Sequence, residues 1–559
     1  MKKLLSIVLA AVMLMGLVSA AQAEELNGIA KGFGGEVTVV VTVEDGKITA
    51  VTAKGDNETP GIGTKALEEL PAMIVAANST DVDAIANATV TSTAIKNAVN
   101  NALDPVAYPY VVEEAKPAPE AISAETAEAY MGLGVASMGR LGPGTDDKDV
   151  QVYSFNQVVA GVVFDAEGRI LMAKFDQLEI ATPNYDGATM PHLSGFPGQT
   201  AYNNDADHDG KVDGVVEMTD DSFLAEVASW QTKRERGEGY VMGTGYWAQQ
   251  MDTFERLFAG KTVEEVKEWF ALYCSDRNGR PLKAGSSNEQ DAAKYDALTD
   301  DEKAMLADVT AGATMSLNDG HGNLIAALEK AYANRVPLQI ESAAAMGLGV
   351  ANMGRLGPGK DDQGVQVYSF NDVYAFILFN EDGSVAASVV DQLEVATPNY
   401  DGSTMPHFSG FPGQGGYNYD SDHDEKVDSI LDNDNDAFLA EIESWQTKRE
   451  RGEGYVMGTG YWAQQMDRFQ KVFEGKTVEE INEWFAAYCS DRNGRPLKAG
   501  SSNEQDAAKY DALTEEDKTM LADVTTGATM SLNDGHGNIL EALEKAAANK
   551  VEIELTIGK

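Results

Sequence analysis

The chain has 559 residues, 43% of them hydrophobic and 24% charged, with a formal net charge of −46. This length allows about three or four domains, and the apolar fraction is enough for packed cores, which excludes a disordered chain. So acidic a chain repels nucleic-acid phosphates and anionic lipid, so neither is an expected partner.

Residues 1–23 read as a secretory signal: Lys2 and Lys3 are the positive start, residues 4–18 the apolar run, and Ala21-Gln22-Ala23 the small-x-small cleavage site. No cysteine lies there to carry a lipid, and no other apolar run approaches membrane-spanning length. The mature chain is therefore expected to be soluble and extracytoplasmic, secreted or at the cell surface. Residues 24–112 form a first domain. Residues 37–43 and 48–53 flank Asp45-Gly46 as a hairpin, the loop Glu58-Thr59-Pro60-Gly61-Ile62-Gly63 follows, and a helix is predicted over 94–103. Residues 113–123, with proline, alanine and charge, form a linker.

Beyond the linker the chain repeats itself. Residues 131–144 recur as 346–359, Cys274 as Cys489 and Thr314 as Thr529, each at an offset of 215. Two tandem repeats follow, 124–339 and 340–559. Each opens with strand, turn and strand, 158–164 and 169–174 around 165–168, then 373–379 and 384–389 around 380–383. The glycines of 131–144 read as tight turns, because their spacing does not match a dinucleotide fingerprint. A helical insertion then carries two capping boxes, Thr262 with Glu265 and Thr299 with Glu302. The first opens an amphipathic helix with Val263, Val266, Trp269, Phe270 and Tyr273 on one side. Trp269 and Trp484 read as core. Cys274 and Cys489 read as buried free thiols more readily than as a bridge.

Asp205, Asp207, Asp209 and Asp213 stand at loop positions 1, 3, 5 and 9, with Gly210 at 6. That is the spacing of an EF-hand-type calcium loop, although position 12 is Val216 with Glu217 beside it. The alternatives are a structural calcium site and a solvated acidic turn. The second copy, 420–428, lacks the glycine. His192, His208 and His321 lack the companions of a zinc or haem site and read as turn or surface residues.

One motif occurs three times: Asp523-Val-Thr-Thr-Gly-Ala-Thr529-Met-Ser531, its copy at 308–316, and a weaker form, Asp83-Ala-Ile-Ala-Asn-Ala-Thr89-Val-Thr91. It resembles the signature read by a flavin transferase in the FMN-binding domain family, known from the flavin-carrying subunits of Rnf and sodium-pumping NADH:quinone reductase complexes. The resemblance implies up to three FMN groups, esterified through phosphate to Thr89, Thr314 and Thr529, with Thr91 as a fallback in the first copy. Asp83, Asp308, Asp523, Ala88, Ala313, Ala528, Gly312 and Gly527 complete the motifs, and Glu58 and Thr59 belong to a loop near the flavin. Gly-Ala before the threonine lets a bulky enzyme approach the backbone. Helices predicted over 94–103, 323–332 and 538–547 follow the threonines, and a phosphate just before a helix start would take its free N–H groups. The plainer reading is a hydroxylic helix cap. Trp247 and Trp462 read as core residues, with flavin stacking as the alternative.

The expected fold class is α+β: three FMN-binding-type domains of small antiparallel sheets packed with helices, the last two tandem duplicates with a helical insertion. No independent catalytic set stands out. The expected function is a secreted multi-flavin electron carrier, served by a flavin transferase, a membrane quinone- or NADH-linked donor, and an extracellular reductase or acceptor. The alternatives are a calcium-stabilised surface or adhesion protein and an extracellular flavin-dependent reductase.

Overall fold

The computed structural model describes residues 23–32, 36–55, 63–85, 88–110, 122–185, 187, 190–242, 245–319, 322–400, 402 and 404–558. The chain divides into two compact units, residues 1–120 and 121–559. None of the helices among the described residues is long and apolar enough to cross a membrane. The expected signal segment up to residue 22, most of the linker, and Glu58, Thr59 and His321 lie outside the described residues.

In the first unit, β1 (Glu24–Lys31), β2 (Glu36–Glu44) and β3 (Lys47–Lys54) form an antiparallel sheet in sequence order. Along β2 the odd positions Val37, Val39 and Val41 are buried and the residues between them exposed, the period-two pattern of a sheet with one covered face. Two helices, α1 (Gly63–Ala77) and α2 (Thr89–Leu103), supply that cover through Leu70, Ile74, Ile95 and Val99. The hairpin matches the sequence reading. Helix α2 begins five residues earlier than predicted, at Thr89 itself.

In the second unit both repeats fold around three long antiparallel strands: β4 (Ala129–Thr145), β5 (Gln151–Asp165) and β6 (Ile170–Ala181), then β7 (Ser342–Lys360), β8 (Gln366–Phe379) and β9 (Val385–Ala396). The turn at 165–168 and its twin at 380–383 stand where they were expected. The two repeats do not form separate bodies. One hydrophobic core draws on both of them, and the outer face of each sheet carries its own helical core. Equivalent residues meet across the centre: the Phe155 and Phe370 rings stack at 5.8 Å and 13°. Each is also met edge-on by the other repeat's tryptophan, Trp445 at 5.3 Å and Trp230 at 5.4 Å. Each such buried side chain contributes roughly 1.5–3 kcal/mol. Polar contacts at the rim repeat the symmetry. Lys330 pairs with Glu450 at 2.8 Å and Lys545 with Glu235 at 3.0 Å. Gln199 donates to the Ser409 carbonyl and Gln414 to the Ser194 carbonyl. The strand Ile122–Thr126, from the start of the unit, completes the second repeat's sheet beside Val551–Ile557.

The glycine-rich run 131–144 is not a set of tight turns. It is most of β4, and its glycines serve packing. A Cβ at Gly132 would lie 2.0 Å from the Ala331 carbonyl oxygen, and one at Gly134 2.1 Å from that of Ala327. The helix α6 (Leu324–Ala333) lies directly on the strand backbone there. Only the end behaves as a turn signal: Gly142 and Gly144 take φ of +148° and +128° where the β4–β5 register shifts.

The insertion supplies α3 (Trp247–Phe258), α4 (Val263–Tyr273) and α5 (Asp300–Gly312) to the first repeat. Both expected capping boxes are present, at Thr262/Glu265 and Thr299/Glu302. Trp269 and Trp484 are buried, and Cys274 and Cys489 are buried free thiols. Burial pushes both thiols well above the ordinary range, which suits inert packing residues.

Candidate functional site

The acceptor motifs of the second unit sit at the exit of a helix. Helix α5 opens with Asp300, Asp301 and Glu302, acids placed against its positive end, and closes at Gly312. Ala313, fully buried, takes an extended conformation and ends the helix, so Thr314 follows half-buried. The second repeat does the same with α7 (Glu515–Gly527), Ala528 and Thr529. Asp308 and Asp523 are exposed on the last turns, and Asp523 pairs with Arg468 at 2.8 Å. Gly312 makes room for a neighbour: a Cβ there would lie 2.8 Å from the Thr253 hydroxyl. At Gly527 the added Cβ would meet Arg468 only at ordinary contact distance, 3.5 Å.

The helices expected over 323–332 and 538–547 form within one residue of those bounds, but a short hairpin separates each from its threonine. Past Thr314, Asn318–Asp319 pairs with Gly322–Asn323 as a short hairpin, and α6 begins only then, capped by the Asn323 side chain. Its twin α8 (Ile539–Ala548) stands behind the hairpin of Asn533–Asp534 and Gly537–Asn538. Thr314 and Thr529 are therefore not helix caps and do not border a helix N-terminus. Thr89 does open α2, after Ala88, which is buried, and Asp83, which is exposed. Thr91 is buried to 2% exposure, which counts against it as an alternative acceptor.

A residue the sequence reading did not single out holds the two later threonines. Gln250, on α3 and 1% exposed, accepts through Oε1 from the backbone N–H of Thr314 at 2.9 Å and of Met315 at 3.2 Å. The Thr314 hydroxyl donates to the same oxygen at 3.4 Å. Gln465 repeats the arrangement on Thr529 and Met530, at 2.9, 3.1 and 3.5 Å. From the other side, the turn at 275–280 presses on the chain past the threonine. Leu317 N–H donates to the Gly279 carbonyl at 3.2 Å, and Gly279 sits at φ +64° with Asn318 O only 2.6 Å from where a Cβ would be.

Beside each motif lies a small cavity, ≈ 40 Å³, walled in the first repeat by Lys233, Trp247, Met251, Arg280, Met315 and Ser316. The second has Lys448, Trp462, Arg495, Met530 and Ser531 in the same places, with His536, whose Nδ1 lies 2.9 Å from the accepting Asp534 carboxylate. Lys233 is buried against Glu179 at 2.8 Å, and Arg140 reaches the other Glu179 oxygen at 3.3 Å. The second repeat builds the same triad from Lys448, Glu394 and Arg355. Burial alone would raise the Glu394 carboxyl, but Lys448, His536 and Arg355 outweigh it and hold it below the usual range. Arg280 and Arg495 are different: they are exposed at the cavity mouth and make no ion pair among the described residues. This volume holds a few waters and is far too small for a tricyclic ring. Arg280 and Arg495 are the exposed cations of this lining that would hold a phosphate group. Trp247 and Trp462 are core residues, 2% exposed, beneath that mouth.

The two repeats are identical, residue for residue, over 229–252 against 444–467 and over 273–299 against 488–514. Those two stretches supply Lys233, Trp247, Gln250, Met251, Gly279 and Arg280, so both threonines have the same neighbours there.

The acidic loop is a separate cluster. Single carboxylate oxygens of Asp205, Asp207 and Asp209 lie within 4.8 Å of one another, as do those of Asp420, Asp422 and Asp428 in the second loop. Asp213 is exposed, stands outside that cluster and accepts from Ala206 N–H at 2.9 Å. His208 takes φ +58° in the loop, as a turn residue does. His192 departs from its surface reading: burial, and then His208 at 6.0 Å between ring centres, lowers its pKa to about 4.

Residues 32–104 match the family model of the FMN-binding domain, and the chain carries that domain there. The matched span contains Asp83, Ala88 and Thr89, so the family named from the motifs is found at the first of them. Over 226 residues the chain is 34% identical to a chlorophenol reductase of Desulfitobacterium hafniense, a match covering 38% of this chain and 60% of that one. It is 32% identical over 80 residues to an NADH:acrylate oxidoreductase of Vibrio harveyi, covering 14% of this chain and 8% of the other. It is 37% identical over 82 residues to a urocanate reductase of Eggerthella lenta, covering 15% and 14%. The chain thus spans 60% or less of the length of these relatives.

Proposed function

We propose, from the premise that the chain is an FMN-binding flavoprotein related to reductases, that it is an extracytoplasmic electron carrier with FMN esterified to Thr89, Thr314 and Thr529. The observation that carries the reading is the shared setting of Thr314 and Thr529: a half-buried threonine after a Gly-Ala helix exit, next in the chain to residues lining a small cavity with an exposed arginine, present in both repeats. The phosphodiester of a tethered FMN has one negative charge, which suits a guanidinium. When bound, FMN supplies one- or two-electron transfer. The chain's own contribution is to fix the attachment point and hold the phosphate end. Outside the cytoplasm, where the signal-like residues 1–23 would send the chain, a free cofactor diffuses away and a tethered one does not. The partners are a flavin transferase, a membrane quinone- or NADH-linked donor, and an extracellular reductase or acceptor.

The test is the intact mass of protein exported from a host that also supplies a flavin transferase. The parent should carry three FMN increments, visible as flavin fluorescence in a denaturing gel. Thr89→Val, Thr314→Val and Thr529→Val should each lose one. A parent with only the mass of its polypeptide rejects the proposal. A second reading, a reductase with its own substrate, draws on the likeness to the chlorophenol reductase of Desulfitobacterium. It requires steady-state turnover of a defined acceptor by the purified flavinylated chain.

We propose further that the loop of Asp205, Asp207 and Asp209 takes calcium as a structural ion. At a hundredfold excess over Kd, calcium should stabilise the fold by about 2.7 kcal/mol and raise Tm by several degrees. Asp205→Asn with Asp420→Asn should abolish the rise. A Tm that ignores calcium in the parent leaves the loop as an acidic turn.

A further inference from the structure

We infer that Gln250 and Gln465 are positioning residues for flavin attachment, presenting the hydroxyls of Thr314 and Thr529 for esterification; this rests on the covalent reading above. The argument starts from where Gln250 stands. Helix α3 buries Trp247, Gln250, Met251, Phe254, Glu255 and Phe258, an apolar stripe at helical spacing that also carries two polar side chains, of which Glu255 is paired with Arg234 and Gln250 faces the threonine. A polar group there carries a desolvation cost unless its hydrogen bonds are made. Among the described residues the Gln250 oxygen makes them to one short segment: the N–H groups of Thr314 and Met315 and the Thr314 hydroxyl. The amide end ties back to the Gly245 carbonyl at 3.4 Å, and in the second repeat to the carbonyls of Met457 at 2.7 Å and Gly460 at 3.3 Å. The carboxamide is thus fixed at one end by the 241–246 hairpin and grips the acceptor at the other.

The grip has a chemical consequence. Two consecutive N–H groups on one oxygen fix the backbone at the threonine, so the hydroxyl does not have to be ordered when the transferase arrives. The Thr314 hydroxyl stands 3.4 Å from the same Oε1, a third contact that orients it. In the transfer, Oγ attacks the flavin-side phosphorus of a flavin dinucleotide pyrophosphate. The new P–Oγ bond forms as the phosphoanhydride P–O bond breaks, the nucleoside monophosphate leaves with that electron pair, and the hydroxyl proton passes to a base of the transferase or to water. No oxidation or reduction takes place. The two N–H bonds to the glutamine survive the step, so the product stays anchored in the same place. In the second repeat Thr459 also reaches the Thr529 hydroxyl, at 3.3 Å.

The experiment uses the full chain exported with a flavin transferase and reads occupancy at Thr314 and Thr529 separately, by peptide mass. Gln250→Met keeps the length of the side chain and removes the acceptor. Gln250→Glu keeps an acceptor for the same two N–H groups. In Gln250→Met, occupancy at Thr314 should fall roughly tenfold relative to the parent after a short induction, while Thr529 in the same molecules fills normally. Gln465→Met should show the reverse, and Gln250→Glu should keep most of the flavin at Thr314. Normal filling of Thr529 reports a folded second unit, so a misfolded variant cannot imitate the result. Parent-like filling of Thr314 in Gln250→Met, or a Gln250→Glu as empty as Gln250→Met, overturns the inference and leaves the covalent reading standing. A parent bare at both threonines brings down the covalent reading, and this inference with it.

Discussion

Gly134→Ala is expected to cost the second unit about 3 kcal/mol or more, and Gly349→Ala the same. The added methyl at Gly134 would lie 2.1 Å from the Ala327 carbonyl oxygen and 2.3 Å from the Ala331 nitrogen; at Gly349 the corresponding distances, to Ala542 O and Ala546 N, are 2.1 and 2.4 Å. These are backbone atoms of a helix, not the end of a side chain that can swing away. The helix cannot lift off freely either, because Leu324, Ile325 and Leu328 are set in the core of the first repeat. Lifting it would open a gap beneath those residues, and close-packed interiors do not absorb such a gap cheaply. Against a typical domain stability of about 5–15 kcal/mol, the loss is a large share. It should appear as a fall in Tm of many degrees by far-UV circular dichroism. Gly214→Ala is the control, since nothing lies within 4 Å of its Cβ position and its φ is ordinary. A Gly134→Ala protein that melts with the control shows that the strand and helix do not touch as described.

The same glycines show what the sequence made legible and what it did not. Glycine has two uses that look alike in a sequence: permitting a positive φ and permitting close approach. At 131–134 the second applies, so a turn reading failed there, while at 142–144 the first applies and it held. The hairpin of the first unit was legible because Val37, Val39 and Val41 alternate with exposed residues. Strands β5 and β8 lack that signal, being buried on both faces, and only their most apolar stretches were read as strand. Capping boxes are local and were read correctly. Sharing of one core between repeats is not local, because Phe155 does not reveal that its partner is its own counterpart, Phe370. At the candidate site the threonines and their Gly-Ala exits were legible from the repeated motif. Gln250 was not, although a trace existed: a glutamine at the helical spacing of Trp247, Met251, Phe254 and Phe258. Arg280 left no trace beyond standing in a Gly-Arg turn, since its setting depends on the fold of the insertion.

Asp372→Asn is expected to make the second unit more stable at pH 8 and to change little at pH 4. Asp372 and Gln157 are counterparts at the 215-residue offset, and the fold brings them together in the shared core. Gln157 Nε2 donates to Asp372 Oδ2 at 2.7 Å, and the Tyr374 hydroxyl donates to Gln157 Oε1 at 2.6 Å. The second Asp372 oxygen is buried without a hydrogen-bond partner. Burial pushes its carboxyl from 3.8 up to about 7, against the weaker opposing pulls of Gln157 and Lys545. A folded pKa above the unfolded one means that the protonated form is the favoured guest. Its contribution is complete below about pH 4 and is lost as pH climbs through 7. A shift of this size corresponds to roughly 4 kcal/mol at full ionisation. Asparagine has the shape of the protonated acid and no proton to lose, so the variant keeps the acid-side stability through neutral pH. Glu226 and Glu441, raised to about 7 by burial, and Asp176 and Asp391, raised to about 6, impose the same downward trend on parent and variant alike. The informative quantity is therefore the difference in Tm between the two proteins, which should grow from near zero at pH 4 to several degrees at pH 8. A difference that stays flat across that range means Asp372 ionises in the folded protein as it does in water, and that the centre between the two repeats is wet.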